Sequence, residues 1–208
     1  MQLYLYKLLY TSFHIIIIYG SFKSPGISTF MGAPYCPPDR KAIREMDARI
    51  AFIGIPWDQG QMVRSGTSQG PHGIREASSQ YFSYLFEYDI DLMTFYQPVD
   101  CGDVPIVTGN NDRSHEYIYQ YVTEILEGGA KVIFVGGDHS APIPAARALS
   151  DFHKNGSIGY MHIDCHLDTA PDWGGVVNTN CSPVSRLLDL HNCSAKNIIG
   201  AEMLYSAQ

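Results

Sequence analysis

"GYMHIDCHLDTAPDWG", residues 159–174, sets two histidines and three aspartates within eleven positions of a chain that is only 17% charged. Its centre is Asp164-Cys165-His166-Leu167-Asp168, placed directly after the apolar run Ile158–Ile163. In an extended segment, residues two apart point to the same side. The spacing therefore predicts that Asp164, His166 and Asp168 face one way, and Cys165 and Leu167 the other. Read as a strand over 157–166, the segment ends in a comb of three potential ligands at the mouth of a sheet.

Working outward, "KVIFVGGDHS" (131–140) reads as a buried strand running into a glycine turn. Gly136-Gly137 lets the backbone turn sharply, and His139 reaches the comb if the two strands are neighbours. "RIAFIGIP" (49–56) is another buried strand, followed by a glycine-rich loop over 57–70. Pro71 then opens a helix predicted over 71–88, with the tyrosine-rich stretch 81–88 packed along it. Val99–Cys101 is a short strand. Residues 111–129 form the clearest helix, capped by Asn111 or Asp112 and ended at Gly128, with Ile118, Val122, Ile125 and Leu126 on one face. Further helices are predicted over 142–154 and 182–190, and a strand over 196–202.

Strands alternating with helices imply right-handed βαβ units. The expected fold is α/β, a three-layer α-β-α arrangement with a mostly parallel sheet. Ligands bind beyond the carboxyl ends of such strands, where "GGDHS" and "DCHLD" both fall.

At 208 residues the chain is one sizeable domain or part of a larger one. A net charge of -7 argues against a nucleic-acid partner. The cysteines, at 36, 101, 165, 181 and 193, are odd in number and lack CxxC spacing, which predicts reduced thiols in a cytosol-like compartment. Residues 1–23 read as an extension outside the fold. Their purely apolar run, Ile15–Tyr19, is too short to span a membrane, so no membrane partner is expected. The expected location is the cytoplasm, with mitochondria the alternative if residues 1–23 are a targeting sequence.

Carboxylates and imidazoles, with the thiol pointing away, favour manganese over thiolate-bound zinc. The candidate ligands are His139, Asp164, His166 and Asp168, and a carboxylate able to bridge suggests two ions. Such a pair activates water near neutral pH, which points to hydrolysis at a polar carbon.

In sequence order these motifs resemble the ureohydrolases, the arginase and agmatinase group, and look closest to the agmatinase branch. The resemblance is carried by "GISTFMGAP" (26–34), "IAFIGIPWDQGQMVRSGTSQGPHGIREAS" (50–78), "DCGDV" (100–104), "GGDHS" (136–140) and "HIDCHLDT" (162–169). It implies a ureohydrolase domain over 24–208 and a manganese-dependent amidinohydrolase that cuts a guanidino compound, agmatine first, into urea and an amine. Position by position, it implies that His139 and Asp168 hold one Mn2+, that Asp164 bridges both ions and that His166 holds the second. Asp138 would orient a ligand or cap its own loop. Trp173 and Asn178 fall in the substrate-loop region, where Trp173 either lines the pocket or packs the loop. Asp58 and Arg64 would contact substrate or stabilise their loop; for Arg64 the expectation is a structural bond to backbone carbonyls. The family's trimers or hexamers imply a homo-oligomer.

Two departures accompany the resemblance. Asn180 stands where the family usually has a histidine, and asparagine cannot titrate. The family draws two further carboxylates from a S-x-D-x-D motif on a later strand, and residues 183–208 hold no such pair. The chain is thus expected to be C-terminally truncated relative to the family, with a paired metal centre that does not assemble from it alone. The alternatives are a catalytically inactive family member or partner subunit, and a hydrolase acting on another guanidino acid or amine. The other histidines, 14, 72, 115, 153 and 191, are expected to be surface or structural.

Overall fold

The computed structural model describes residues 27–202; the extension 1–23 lies outside them. In chain order the elements are α1 (Arg40–Glu45), β1 (Ile50–Gly54), α2 (Gly70–Ser78), β2 (Tyr84–Leu85), β3 (Ile90–Asp91), α3 (Leu92–Tyr96), β4 (Pro98–Asp103), α4 (Asn111–Gly128), β5 (Lys131–Val135), α5 (Pro142–Phe152), β6 (Tyr160–Asp164), α6 (Pro183–Leu188) and β7 (Ile198–Glu202).

β1 shows why the alternation produces layers. Ala51, Ile53 and the following Ile55 are buried in one core with Ile43 of α1 and with Ile118, Val122 and Ile125 of α4. On the opposite face Phe52 stacks on Phe30, ring centroids 4.0 Å apart. Gly54 meets the start of α2 there: an added Cβ would lie 2.9 Å from Pro71 Cβ and collide with the Asp103 carboxylate. Helices cover both faces of β1, as the three-layer reading requires. No helix among the described residues is long and apolar enough to cross a membrane.

The parallel strands fall into two groups. β1 pairs with β4 on one side and β5 on the other, and β6 pairs separately with β7. β5 and β6 are therefore not hydrogen-bonded to each other, yet His139 still reaches Asp164 and Asp168. Each has one edge without a strand partner among the described residues. The outward face of the second pair is apolar, with Met161 and Ile163 each 68% exposed.

Local chemistry moves other boundaries. α4 is capped by Asn110, whose carboxamide oxygen accepts from the Arg113 N–H, one residue before the expected cap. It ends at Gly129 in the left-handed conformation, φ 101°. The helix predicted over 71–88 stops at Ser78. Residues 84–91 instead form a small antiparallel ladder, with Tyr81, Phe82, Phe86 and Tyr88 exposed. Aromatic residues suit a pleated surface as well as a helix, and their helical spacing was coincidental. A buried fork ties this region down: Arg75 donates through Nε and Nη2 to the two oxygens of Asp100, and through Nη1 to Asp103.

Candidate metal centre

The site begins at the end of β5. Gly136 and Gly137 both hold positive φ, 81° and 78°. A Cβ on Gly137 would lie 2.6 Å from the Ile55 carbonyl oxygen, so this close turn requires glycine. Asp138 fastens it. Its Oδ1 accepts from the Ser140 N–H and hydroxyl, and its Oδ2 accepts from the Gly60 N–H at 2.7 Å. Trp57 Nε1 donates to the Ser140 hydroxyl. These bonds run to the turn and to the loop over 57–70, so Asp138 braces the backbone around His139.

The second half comes from β6. The strand ends at Asp164, two residues before the predicted end, because the Asp164 carboxylate accepts from the His166 N–H at 3.0 Å and turns the chain. Strict alternation therefore stops there. Cys165 Sγ lies 3.3 Å from His166 Nδ1, which corrects the expectation that the thiol faces away. Asp168 enters the site through a left-handed conformation, φ 49°, a backbone state that Asp adopts more readily than most residues.

These segments bring three of the four expected ligands together. His139 Nδ1 is 2.5 Å from Asp168 Oδ2 and 3.6 Å from Asp164 Oδ2. Asp168 is buried, and its Oδ2 has no hydrogen-bond partner. An orphaned carboxylate oxygen beside an imidazole nitrogen, without the angles of a hydrogen bond, is what two ligands aimed at a common third atom look like. Nitrogen and carboxylate donors of this kind fit a hard-to-borderline divalent ion. His166 stands apart: it is 74% exposed, and its Nδ1 is 3.0 Å from Asp164 Oδ1. Asp164 thus turns one oxygen toward each histidine. Burial alone would raise its carboxyl pKa, but hydrogen bonds from His166 and Cys165, with His139 nearby, hold it below its ordinary value.

The structure adds a residue that the sequence reading missed. His162 is buried and stacks on His139, with centroids 5.3 Å apart and planes 11° apart. Its Nε2 lies 3.8 Å from Asp168 Oδ2. The signal was present, since 162 continues the two-residue period of 164, 166 and 168, but it lies inside the apolar strand.

The surrounding loops are stitched to the site by backbone. Ala170 N–H donates to the Cys181 carbonyl, Val184 N–H to that of Asp168, and Asn180 N–H to that of Gly60. Trp173 is 59% exposed and Asn178 is half-buried. Asp58 stabilises its own loop by accepting from the Gly66 N–H and the Ser68 hydroxyl. Arg64 is exposed and makes no hydrogen bond or ion pair among the described residues, so the expected bond to backbone carbonyls is absent. Among the other histidines, His115 is buried edge-on to Trp57 and His191 contacts Ser150, both structural placements.

The comparisons with known proteins fit this geometry. A family model described as the arginase family matches residues 48–203. The chain is 35% identical over 144 residues to a guanidinobutyrase from Pseudomonas aeruginosa, covering 69% of this chain and 43% of that protein. It is 31% identical over 163 residues to an agmatinase from Bacillus subtilis, covering 77% and 51%. The chain thus spans about half the length of the curated relatives it matches. Among solved structures, Trypanosoma cruzi formiminoglutamase with Mn2+ superposes with a TM-score of 0.67 at 26% identity, over 79% of this chain and 57% of that one. The proclavaminate amidino hydrolase of Streptomyces clavuligerus superposes with a TM-score of 0.75 at 24% identity, over 88% and 58%, a likeness of fold. With the family model matching most of the chain and the His139–Asp168 pair inside the matched span, the chain belongs to the arginase family.

Proposed function

We propose that this chain is the metal-binding portion of a manganese-dependent amidinohydrolase that splits a linear guanidino compound, agmatine first, into urea and an amine. The observation that carries the reading is the convergence of His139 Nδ1, Asp168 Oδ2 and Asp164 Oδ2, with the Asp168 oxygen buried and unpartnered. The relatives named agmatinase and guanidinobutyrase supply the substrate class.

When bound, a divalent ion at such a site lowers the pKa of water and polarises the carbon under attack. The protein's own part is preorganisation. The glycine turn and Asp138 set His139, while the turn closed by Asp164 and the left-handed backbone of Asp168 set the two carboxylates. Asp164, held toward its ionised form, presents an oxygen on each side and is the residue suited to lie between two ions. Asn180 can donate and accept hydrogen bonds toward a guanidinium but cannot carry a proton away. The proposed setting is the cytoplasm, and the proposed assembly is a homo-oligomer.

The test is urea release with Mn2+ from agmatine, guanidinobutyrate and arginine, using the protein translated from the whole gene. Turnover of agmatine above the others is the expected result. No urea from any of them would overturn the reading. A second reading, metal binding without hydrolysis, is favoured by Asn180 and by the outward position of His166. Saturable Mn2+ binding without urea release would select it.

A further inference from the structure

His162 lies within reach of the same ion position as His139 and Asp168, and all three could supply donor atoms to one metal. Its hydrogen bonds give it a different task. Nε2 is 2.9 Å from the backbone carbonyl oxygen of His166, an atom that can only accept, so Nε2 carries a proton and donates it there. Nδ1 is 3.2 Å from the Tyr160 hydroxyl. The Tyr160 phenol is protonated at neutral pH with or without perturbation, and burial, with Asp168 and Asp164 nearby, pushes its pKa further up, so the hydroxyl can donate to Nδ1.

We propose that His162 is a positioning residue and not a metal ligand: held in the Nε2–H tautomer by Tyr160, it clamps the 164–168 turn by donating to the His166 carbonyl. This rests on the metal-binding reading of His139, Asp164 and Asp168. The clamp closes the chain from His162 to His166 across four residues, around Asp164 and directly before the segment that carries Asp168. The near-parallel stack fixes the plane of His139 from the other side. A histidine whose nitrogens are both committed within the protein has no lone pair left for an ion. Partners that orient metal ligands commonly carry about 10- to 100-fold in affinity.

Two measurements test this separately from activity. The first is the imidazole nitrogen NMR spectrum of the metal-free chain. The Nε2–H form is expected for His162 and is expected to weaken in Tyr160→Phe; a predominant Nδ1–H form overturns the proposal. The second is Mn2+ affinity, read from the free-ion electron paramagnetic resonance signal, with folding verified by circular dichroism. His162→Gln keeps a donor near Nε2 and should bind within about threefold of the parent, whereas His162→Leu should lose about 10- to 100-fold. Equal losses in Gln and Leu would make His162 a ligand, and no loss in Leu would remove it from the site; either result overturns the clamp. If the parent chain binds no Mn2+ yet shows the Nε2–H tautomer, the metal reading fails and the clamp on the turn stands.

Discussion

His139 Nδ1 and Asp168 Oδ2 lie 2.5 Å apart, yet the buried Asp168 oxygen has no hydrogen-bond partner. Burying a carboxylate oxygen without a partner is costly, and the arrangement makes sense as a site kept ready for an ion. Asp168→Asn removes that carboxylate. The metal-free variant should melt at the same temperature as the parent or higher. It should also lose the stabilisation that Mn2+ confers on the parent, about 2.7 kcal/mol at a free concentration a hundredfold above the dissociation constant. Calorimetry with and without Mn2+ reads both effects; an unchanged Mn2+ shift in the variant would remove Asp168 from the site.

The fork of Arg75 on Asp100 and Asp103 is a structural counterpart to the metal centre. Asp100 is almost fully buried and also accepts from the Phe30 N–H, so the fork anchors the first described segment to β4. Arg75→Ala should cost about 3–5 kcal/mol, because it strands a buried carboxylate. Arg75→Lys should recover little of this, since an ammonium cannot reproduce the bidentate contact. Urea denaturation midpoints check it, and a loss below 1 kcal/mol in the alanine variant would contradict the burial argument.

His115 predicts a pH dependence. Burial against Trp57 lowers its pKa below the ordinary 6.5, and the nearby charges of Asp138 and Asp112 only partly offset this. A histidine with a depressed folded pKa binds fewer protons when folded than when unfolded. Its contribution is intact above about pH 6.5 and declines as pH falls through that value toward the folded pKa. His115→Phe keeps an aromatic ring against Trp57 and removes the titration. Its stability should therefore fall less than the parent's between pH 7 and pH 5, measured by chemical denaturation in a buffer series. Parallel curves would refute the assignment.

The cysteines should label in order of burial. Cys36, Cys101 and Cys193 are buried, and burial, with Cys36 and Asp100 close by, pushes the Cys101 thiol up to about 12. Cys165 is exposed beside His166. Iodoacetamide on the native protein, followed by mass spectrometry, should modify Cys165 first and reach the buried three only after unfolding. Early modification of Cys101 would contradict the packing of β4.

Much of this was legible in the sequence, for reasons tied to particular residues. α4 could be read because its apolar face, an amide-bearing start and a glycine end agree with one another, although the cap is Asn110 rather than Asn111 or Asp112 and the left-handed glycine is Gly129 rather than Gly128. His139, Asp164 and Asp168 could be read because strand ends at the carboxyl edge of a parallel sheet bring such side chains to one place. The ladder at 84–91 could not, since aromatic residues at helical spacing satisfy either pattern until the end of α2 at Ser78 decides. The early end of β6 depends on the Asp164 carboxylate capturing the His166 N–H, a competition that alternation does not register. The separation of β6–β7 from β4-β1-β5 is a matter of tertiary pairing, which spacing along the chain does not encode.

The most direct measurement is a titration of this chain with Mn2+, following the free-ion electron paramagnetic resonance signal, for the parent and for His139→Asn. The account predicts saturable loss of free-ion signal in the parent and a dissociation constant at least about tenfold weaker in the variant. A parent that leaves the Mn2+ signal undiminished, or a variant that binds as tightly as the parent, would contradict the claim that His139, Asp164 and Asp168 form a metal site.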